Sequence, residues 1–150
     1  MASIRESVFI AAPPEKVKEI FFDFSHHETW NPLFTKVECD SVPVKVGDKL
    51  KVELTINGSK QHMAPQIVEN SDKCFSWKGT VGFDFIFNGV HKFEFISTVE
   101  NGVSGTTFIN SETFSGILLT VLNKFYDLIP NATKGFIDMN SALKKKVELE

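Results

Sequence analysis

The sequence predicts an α+β domain: a strongly curved antiparallel sheet of six to seven strands around one long C-terminal helix, with two short helices after the first strand. Three observations predict it. Between Thr35 and Phe114, apolar and polar residues alternate in short runs broken by Gly47-Asp48, Asn57-Gly58, Asn88-Gly89 and Asn101-Gly102, the pattern of half-buried strands joined by tight turns. After Ser115 the apolar spacing lengthens to that of a helix. The 150 residues contain no repeat, linker or low-complexity segment, so residues 1–150 form one domain with a sizeable core. Strands in a run followed by a helix give a sheet with its helices collected on one face.

The elements follow in order. In "SIRESVFIA", Ile4, Glu6, Val8 and Ile10 alternate with Arg5, Ser7, Phe9 and Ala11, a strand with one weakly polar face. Pro13 and Pro14 then suit a helix start, where a missing N–H costs little. Val17, Ile20, Phe21 and Phe24 place one apolar stripe on that helix. Ser25 and Glu28 have capping-box spacing and predict a second short helix, stopped by Pro32. "KLKVELTIN" is the clearest strand, with Leu50, Val52, Leu54 and Ile56 on one face. Asn57-Gly58 predicts a type I′ hairpin turn, and Pro65 predicts a bulge or edge in the returning strand. Leu118, Leu122, Phe125, Ile129, Phe136, Met139 or Asn140, Leu143 and Val147 trace the stripe of the final helix. Pro130 and Gly135 predict a kink or break near 130–134.

Composition excludes several functions. A net charge of −3 offers no electrostatic case for nucleic acid. The basic run Lys144-Lys145-Lys146 is followed by Glu148 and Glu150 and reads as a solvated helix end. No apolar stretch is long enough to span a bilayer, and the N-terminal stretch with Arg5 and Glu6 has no signal-peptide core. Cys39 and Cys74 are isolated and predict free thiols in a reducing cytoplasm. His26 and His27 are adjacent rather than four apart, so neither they nor the cysteines predict a metal site. No cofactor is expected, since there is no Gly-rich phosphate loop, HExxH or nucleophile elbow.

Fifteen phenylalanines against one tyrosine and two tryptophans suit an apolar interior, filled by side chains or by a guest. Alternation places Phe75 and Trp77, Met63 and Ile67, Phe93 and Phe95, and Phe108 and Phe114 on the side of the sheet that faces the long helix. Each is an ordinary core residue or the wall of a cavity. His91, Asn110 and Glu112 share that inward parity, and buried polar groups must be satisfied. Three arrangements satisfy them: a structural hydrogen-bond network, polar points that orient a ligand, or an acid/base pair of His91 and Glu112. Leu122 and Phe125 would close the cavity from the helix. Phe83, Phe85 and Phe87, in a segment between two strands, with Leu33, Phe34 and Leu118, would form its mouth. His62 has the outward parity.

The motifs "AP" before a helix ending Asp23-Phe24, then Trp30-Asn31-Pro32, "FSW" (75–77), "GVHKFEF" (89–95), "ETFSGIL" (112–118) and "GFIDMNSALKKKVE" (135–148) occur in this order over almost the whole chain. In order and spacing they resemble the helix-grip fold of the SRPBCC superfamily, and within it the polyketide cyclase/dehydrase-like bacterial branch more than the START-type or birch-pollen-allergen-like ones. The resemblance implies the helix-grip fold and a small apolar or amphipathic ligand of lipid, polyketide or aromatic type, held by a carrier or sensor. The same fold hosts cyclase, dehydratase or hydrolase enzymes, for which His91 and Glu112, with Asp84 near the rim, would serve. It also hosts co-chaperone-like interaction domains. Asn110 stands where the family often has histidine.

Overall fold

In the computed structural model, which describes residues Met1 to Glu150, eight strands and three α-helices follow one another. They are β1 (Ala2–Ile10), α1 (Pro14–Phe22), a 3₁₀ helix (Phe24–Thr29), β2 (Phe34–Glu38), β3 (Lys51–Ile56), β4 (Ser59–Met63), β5 (Gln66–Asn70), β6 (Cys74–Val81), β7 (Phe87–Glu100), β8 (Val103–Ser115), α2 (Leu119–Tyr126) and α3 (Leu128–Leu149). The architecture is the expected α+β one, an antiparallel sheet with a long C-terminal helix. Five strands pair in the order β1-β8-β7-β6-β5 and three in the order β2-β3-β4, with an isolated bridge between Lys49 and Gln66 linking the two groups.

The eighth strand has a local cause. "KQHMAPQIVE" splits at Ala64-Pro65, so that β4 pairs with β3 and β5 pairs with β6. Pro65 has no N–H to give to a ladder; its carbonyl accepts from the Leu50 N–H at 3.0 Å instead. Asn57-Gly58 and Asn101-Gly102 both have positive φ (50° and 76°, 51° and 77°), as type I′ hairpins need. Asn88-Gly89 is different, for it lies inside β7 and makes no turn. The reversal between β6 and β7 is made by residues 82–86. Gly89 serves packing: a Cβ there would collide with Oε2 of Glu112 on β8.

β7 and β8 run side by side over thirteen residue pairs, with His91 opposite Glu112, Phe93 opposite Asn110 and Phe95 opposite Phe108. β6 sets Trp77 beside His91 and Phe75 beside Phe93. The inward faces of three strands therefore form one aromatic floor. α1 drops Phe21 onto it, 4.8 Å from the Phe93 ring, 5.3 Å from Phe95 and 5.9 Å from Phe75. α3 covers the rest with Phe136, Met139, Leu143 and Val147, all buried.

The C-terminal helix breaks earlier than the sequence predicts. Asp127, with φ 47° and ψ 46°, separates α2 from α3. Pro130 falls in the first turn of α3, where the helix has no N–H bond to lose. Gly135 continues the helix and lets Leu33 approach, since a Cβ there would lie 2.8 Å from Leu33 Cδ1. The Ser25–Glu28 capping box does not form; Ser25 Oγ donates to Asp23 at 3.1 Å. No helix is long and apolar enough to cross a membrane.

Candidate functional site

Between the β3–β4 hairpin, the far ends of β6 and β8, the start of β7 and the first turns of α3 lies a pocket of about 280 Å³. Eleven of its eighteen lining residues are hydrophobic, among them Leu54, Ile56, Phe114, Leu128 and Phe136. Its exposed lining residues are Gln61 and His62 of β4 and Thr80 and Val81 at the end of β6. A larger depression of about 500 Å³ on β2–β4, lined by Lys36, Glu38, Lys51 and Glu53, is a solvent-open charged groove with no buried polar side chain behind it.

His91 and Glu112 lie in the wall of the apolar pocket, and a chain of side chains runs inward from them. His91 Nδ1 is 3.3 Å from Glu112 Oε1, and its Nε2 contacts Asn110 Oδ1. The Asn110 amide donates to Asn140 Oδ1 at 3.1 Å and reaches Met139 Sδ at 3.5 Å. The His91 ring is clamped between Phe93 (4.3 Å, near-parallel) and Phe136 (4.7 Å). His91, Asn110 and Asn140 are buried, whereas the Glu112 side chain keeps 18% exposure toward the pocket. The Asn140 Nδ2 and Trp77 Nε1 groups are buried without a hydrogen-bond partner.

The other half of the site is set by the segment entering β2. The His27 Nε2–H donates to the Phe21 carbonyl at 2.5 Å, and Asn31 Nδ2 donates to its Nδ1 at 3.2 Å. Asn31 Oδ1 in turn accepts from the N–H groups of Leu33 and Phe34, both at 3.0 Å. Burial pushes the His27 pKa down to about 4, against the raising effect of the Phe21 carbonyl. A neutral His27 thus locks the turn that aims Leu33 and Phe34 at the pocket.

The structure brings together only some of the residues expected here. His91, Glu112 and Phe114 line the pocket, as do Leu33, Phe34 and Phe87, which form its inner wall more than its lip. Trp77, Phe93, Phe95, Phe108 and Asn110 do not line it; they are closed core, because Phe21 fills the space over that end of the sheet. Leu122 is half-buried and Phe125 is 68% exposed, because the break at Asp127 turns α2 away from the line of α3. Leu118 is half-buried in the tie between residues 85–86 and 117–118, and Phe83 and Phe85 stack on each other in solvent. Asp84 is fastened to Lys78 at 2.6 Å, which holds its carboxyl below the usual range, and does not line the pocket. Sequence reasoning missed Leu54, Ile56, Leu128, Ala132 and Phe136 as wall residues. The inward parity of Leu54 and Ile56 and the helical stripe through Phe136 were the available signals.

An antiparallel sheet closed by a long C-terminal helix over an internal pocket defines the helix-grip, SRPBCC-type class. The chain belongs to the family described as polyketide cyclase / dehydrase and lipid transport, whose model matches residues 1–148. Solved structures similar to it include the Zhui aromatase/cyclase from a Streptomyces species (TM-score 0.76, 12% identity, covering 98% of this chain and 93% of that one). TTHA0849 from Thermus thermophilus is also similar (TM-score 0.72, 16% identity, 99% and 98% covered). So is a norcoclaurine synthase mutant of Thalictrum flavum in complex with a transition-state analogue (TM-score 0.69, 15% identity, 99% and 94% covered). At these identities the likeness is one of fold. No curated protein matches the sequence.

Proposed function

We propose that this protein binds a small hydrophobic or amphipathic molecule in the pocket between the β3–β4 hairpin and α3, as a carrier or sensor. The observation that carries the reading is the pocket itself: about 280 Å³ of mostly apolar space with the half-buried Glu112 in its wall. Apolar walls favour a guest by removing its surface from water, at roughly 25 cal/mol per Å². The volume is near the lower end of the usual range for ligand sites, about 300–1,000 Å³, and suits a compact guest. A cytoplasmic setting fits the isolated Cys39 and Cys74, neither of which is in a disulfide.

The test is a fluorescence titration with a polarity-sensitive dye. Saturation below about 100 μM, ~−5.5 kcal/mol, is expected for the wild type and loss of it for Ala132→Phe, which pushes a ring into the pocket from α3. Equal binding by both would place the dye elsewhere, on the exposed Phe83 and Phe85 for example, and would remove the support for an internal site.

A second reading, an acid/base enzyme, is favoured by one observation, the 3.3 Å approach of His91 Nδ1 to Glu112 Oε1 in an open pocket. It fits the Streptomyces neighbour described as an aromatase/cyclase. Recovery of a bound guest chemically changed by the wild type, and unchanged by His91→Ala, would favour this reading over the carrier.

A further inference from the structure

We propose that the pocket selects neutral guests that bring a hydroxyl donor to Glu112, and rejects carboxylates of the same shape. The inference rests on the ligand-binding reading above and adds the chemical class of the guest.

No lysine or arginine lines the pocket; the groups able to carry positive charge are His62 at the exposed rim and His91 in the wall. His91 is committed at both ring nitrogens. Its Nε2 is spent on Asn110, whose own amide is held by Asn140 and Met139. Its Nδ1 meets Glu112 Oε1 at 3.3 Å. Two bare lone pairs there would repel, so one proton occupies that contact. Whether that proton sits on Nδ1 or on Oε1, Glu112 keeps its second oxygen outside the contact.

Oε2 remains. It lies against the β7 backbone at Gly89, where any side chain would collide with it. With the shared proton on Nδ1 it is a carboxylate oxygen; with the proton on Oε1 it is the carbonyl oxygen of the acid. In both it accepts and cannot donate. Among the side chains that line the pocket, none donates to it, and a half-buried acceptor calls for a donor. A hydroxyl supplies one. An incoming carboxylate would set oxygen against oxygen with no lysine or arginine in the lining to offset it, after losing its own water.

The experiment uses three probes of one shape at pH 7: 2-naphthol, which is neutral and donates; 2-naphthoate, which is anionic; and naphthalene, which has no polar group. Each is titrated into the full-length wild type and into Glu112→Gln. The wild type is expected to prefer naphthol over naphthoate by at least about tenfold, the scale of one hydrogen bond to a charged group. Glu112→Gln offers a donor as well as an acceptor, and the preference should shrink about tenfold while naphthalene binds within about twofold of wild type. Naphthoate binding as tightly as naphthol, or a preference unchanged in Glu112→Gln, would overturn the hydroxyl selectivity and leave the pocket reading standing. Failure of all three probes to bind the wild type would overturn the pocket reading, and the selectivity with it.

Discussion

Gly89 and Glu112 occupy each other's space. A Cβ at residue 89 would collide with Oε2 and meet the Phe114 ring at 3.3 Å, so the carboxylate would have to swing aside. The atom displaced is the far end of a flexible side chain, so the cost lies at the low end of the overpacking range, about 1 kcal/mol. Gly89→Ala is therefore expected to lose that much stability in urea unfolding, and Glu112→Ala in the same chain should restore most of the loss. The two changes are in contact, so their effects should fail to add. A double variant as unstable as the sum of the singles would mean that the glycine serves backbone conformation and not the carboxylate. The neighbouring phenylalanines have another role. Phe93 and Phe108 have no exposed surface and pack around Phe21; they hold the floor on which the pocket rests.

At the scale of elements, the break between α2 and α3 decides which helical residues reach the pocket. Leu128, Ala132 and Phe136 of α3 line it, while Phe125 of α2 lies in solvent. Two bonds bridge the break, Ile129 N–H to Asn123 Oδ1 and Asn131 Nδ2 to the Tyr126 carbonyl. The chain turns at one residue, Asp127, in the left-handed region with no side-chain cap bond. That conformation disfavours a residue with a Cβ, less so for aspartate than for most. Asp127→Gly should relieve the strain and raise stability by about 0.5 kcal/mol, which for a chain of this size is about 2 °C in a thermal melt. A fall in Tm would show that the carboxylate supports the α3 N-terminus through its charge. The β3–β4 hairpin is the other element that matters. It pairs with β2 on one side only, so the edge of β4 stays free beside the pocket opening.

Over the whole molecule, His27 links α1 to the pocket wall through Phe21, Asn31, Leu33 and Phe34. Its folded pKa of about 4 lies below the unfolded value of 6.5. The folded state therefore binds fewer protons between those limits, and stability rises with pH there. His27 has no effect above pH 6.5. Its effect grows as pH falls through the window from 6.5 to about 4, reaches about 3 kcal/mol, and is constant below. Urea unfolding of the wild type should show this loss between about pH 7 and 4, and His27→Gln should flatten it. An equally steep decline in the variant would assign the acid sensitivity to carboxylates. Asp23 and Asp84 have lowered pKa values and lose their contribution as pH falls below 3.8, and Glu148 as it falls below 4.5, where the His27 effect is already near its limit.

The sequence by itself determined the order of elements, the antiparallel sheet, two of the hairpin turns and the inward parity of His91, Asn110 and Glu112. Those properties are local: a period of two or 3.6 and a pair of turn residues are written within about ten positions of one another. It also placed Leu33, Phe34, Phe87 and Phe114 near a cavity. The position of that cavity was decided by tertiary structure. Periodicity says which face of an element is buried and is silent on what buries it. Phe21 of α1 fills the floor around Phe93 and Phe95, the chain turns at Asp127 and not at Pro130, and Gly89 answers to a carboxylate on the neighbouring strand, far along the chain. Each of these is settled by contact between segments distant in the chain, where close packing allows one arrangement and local preference allows several.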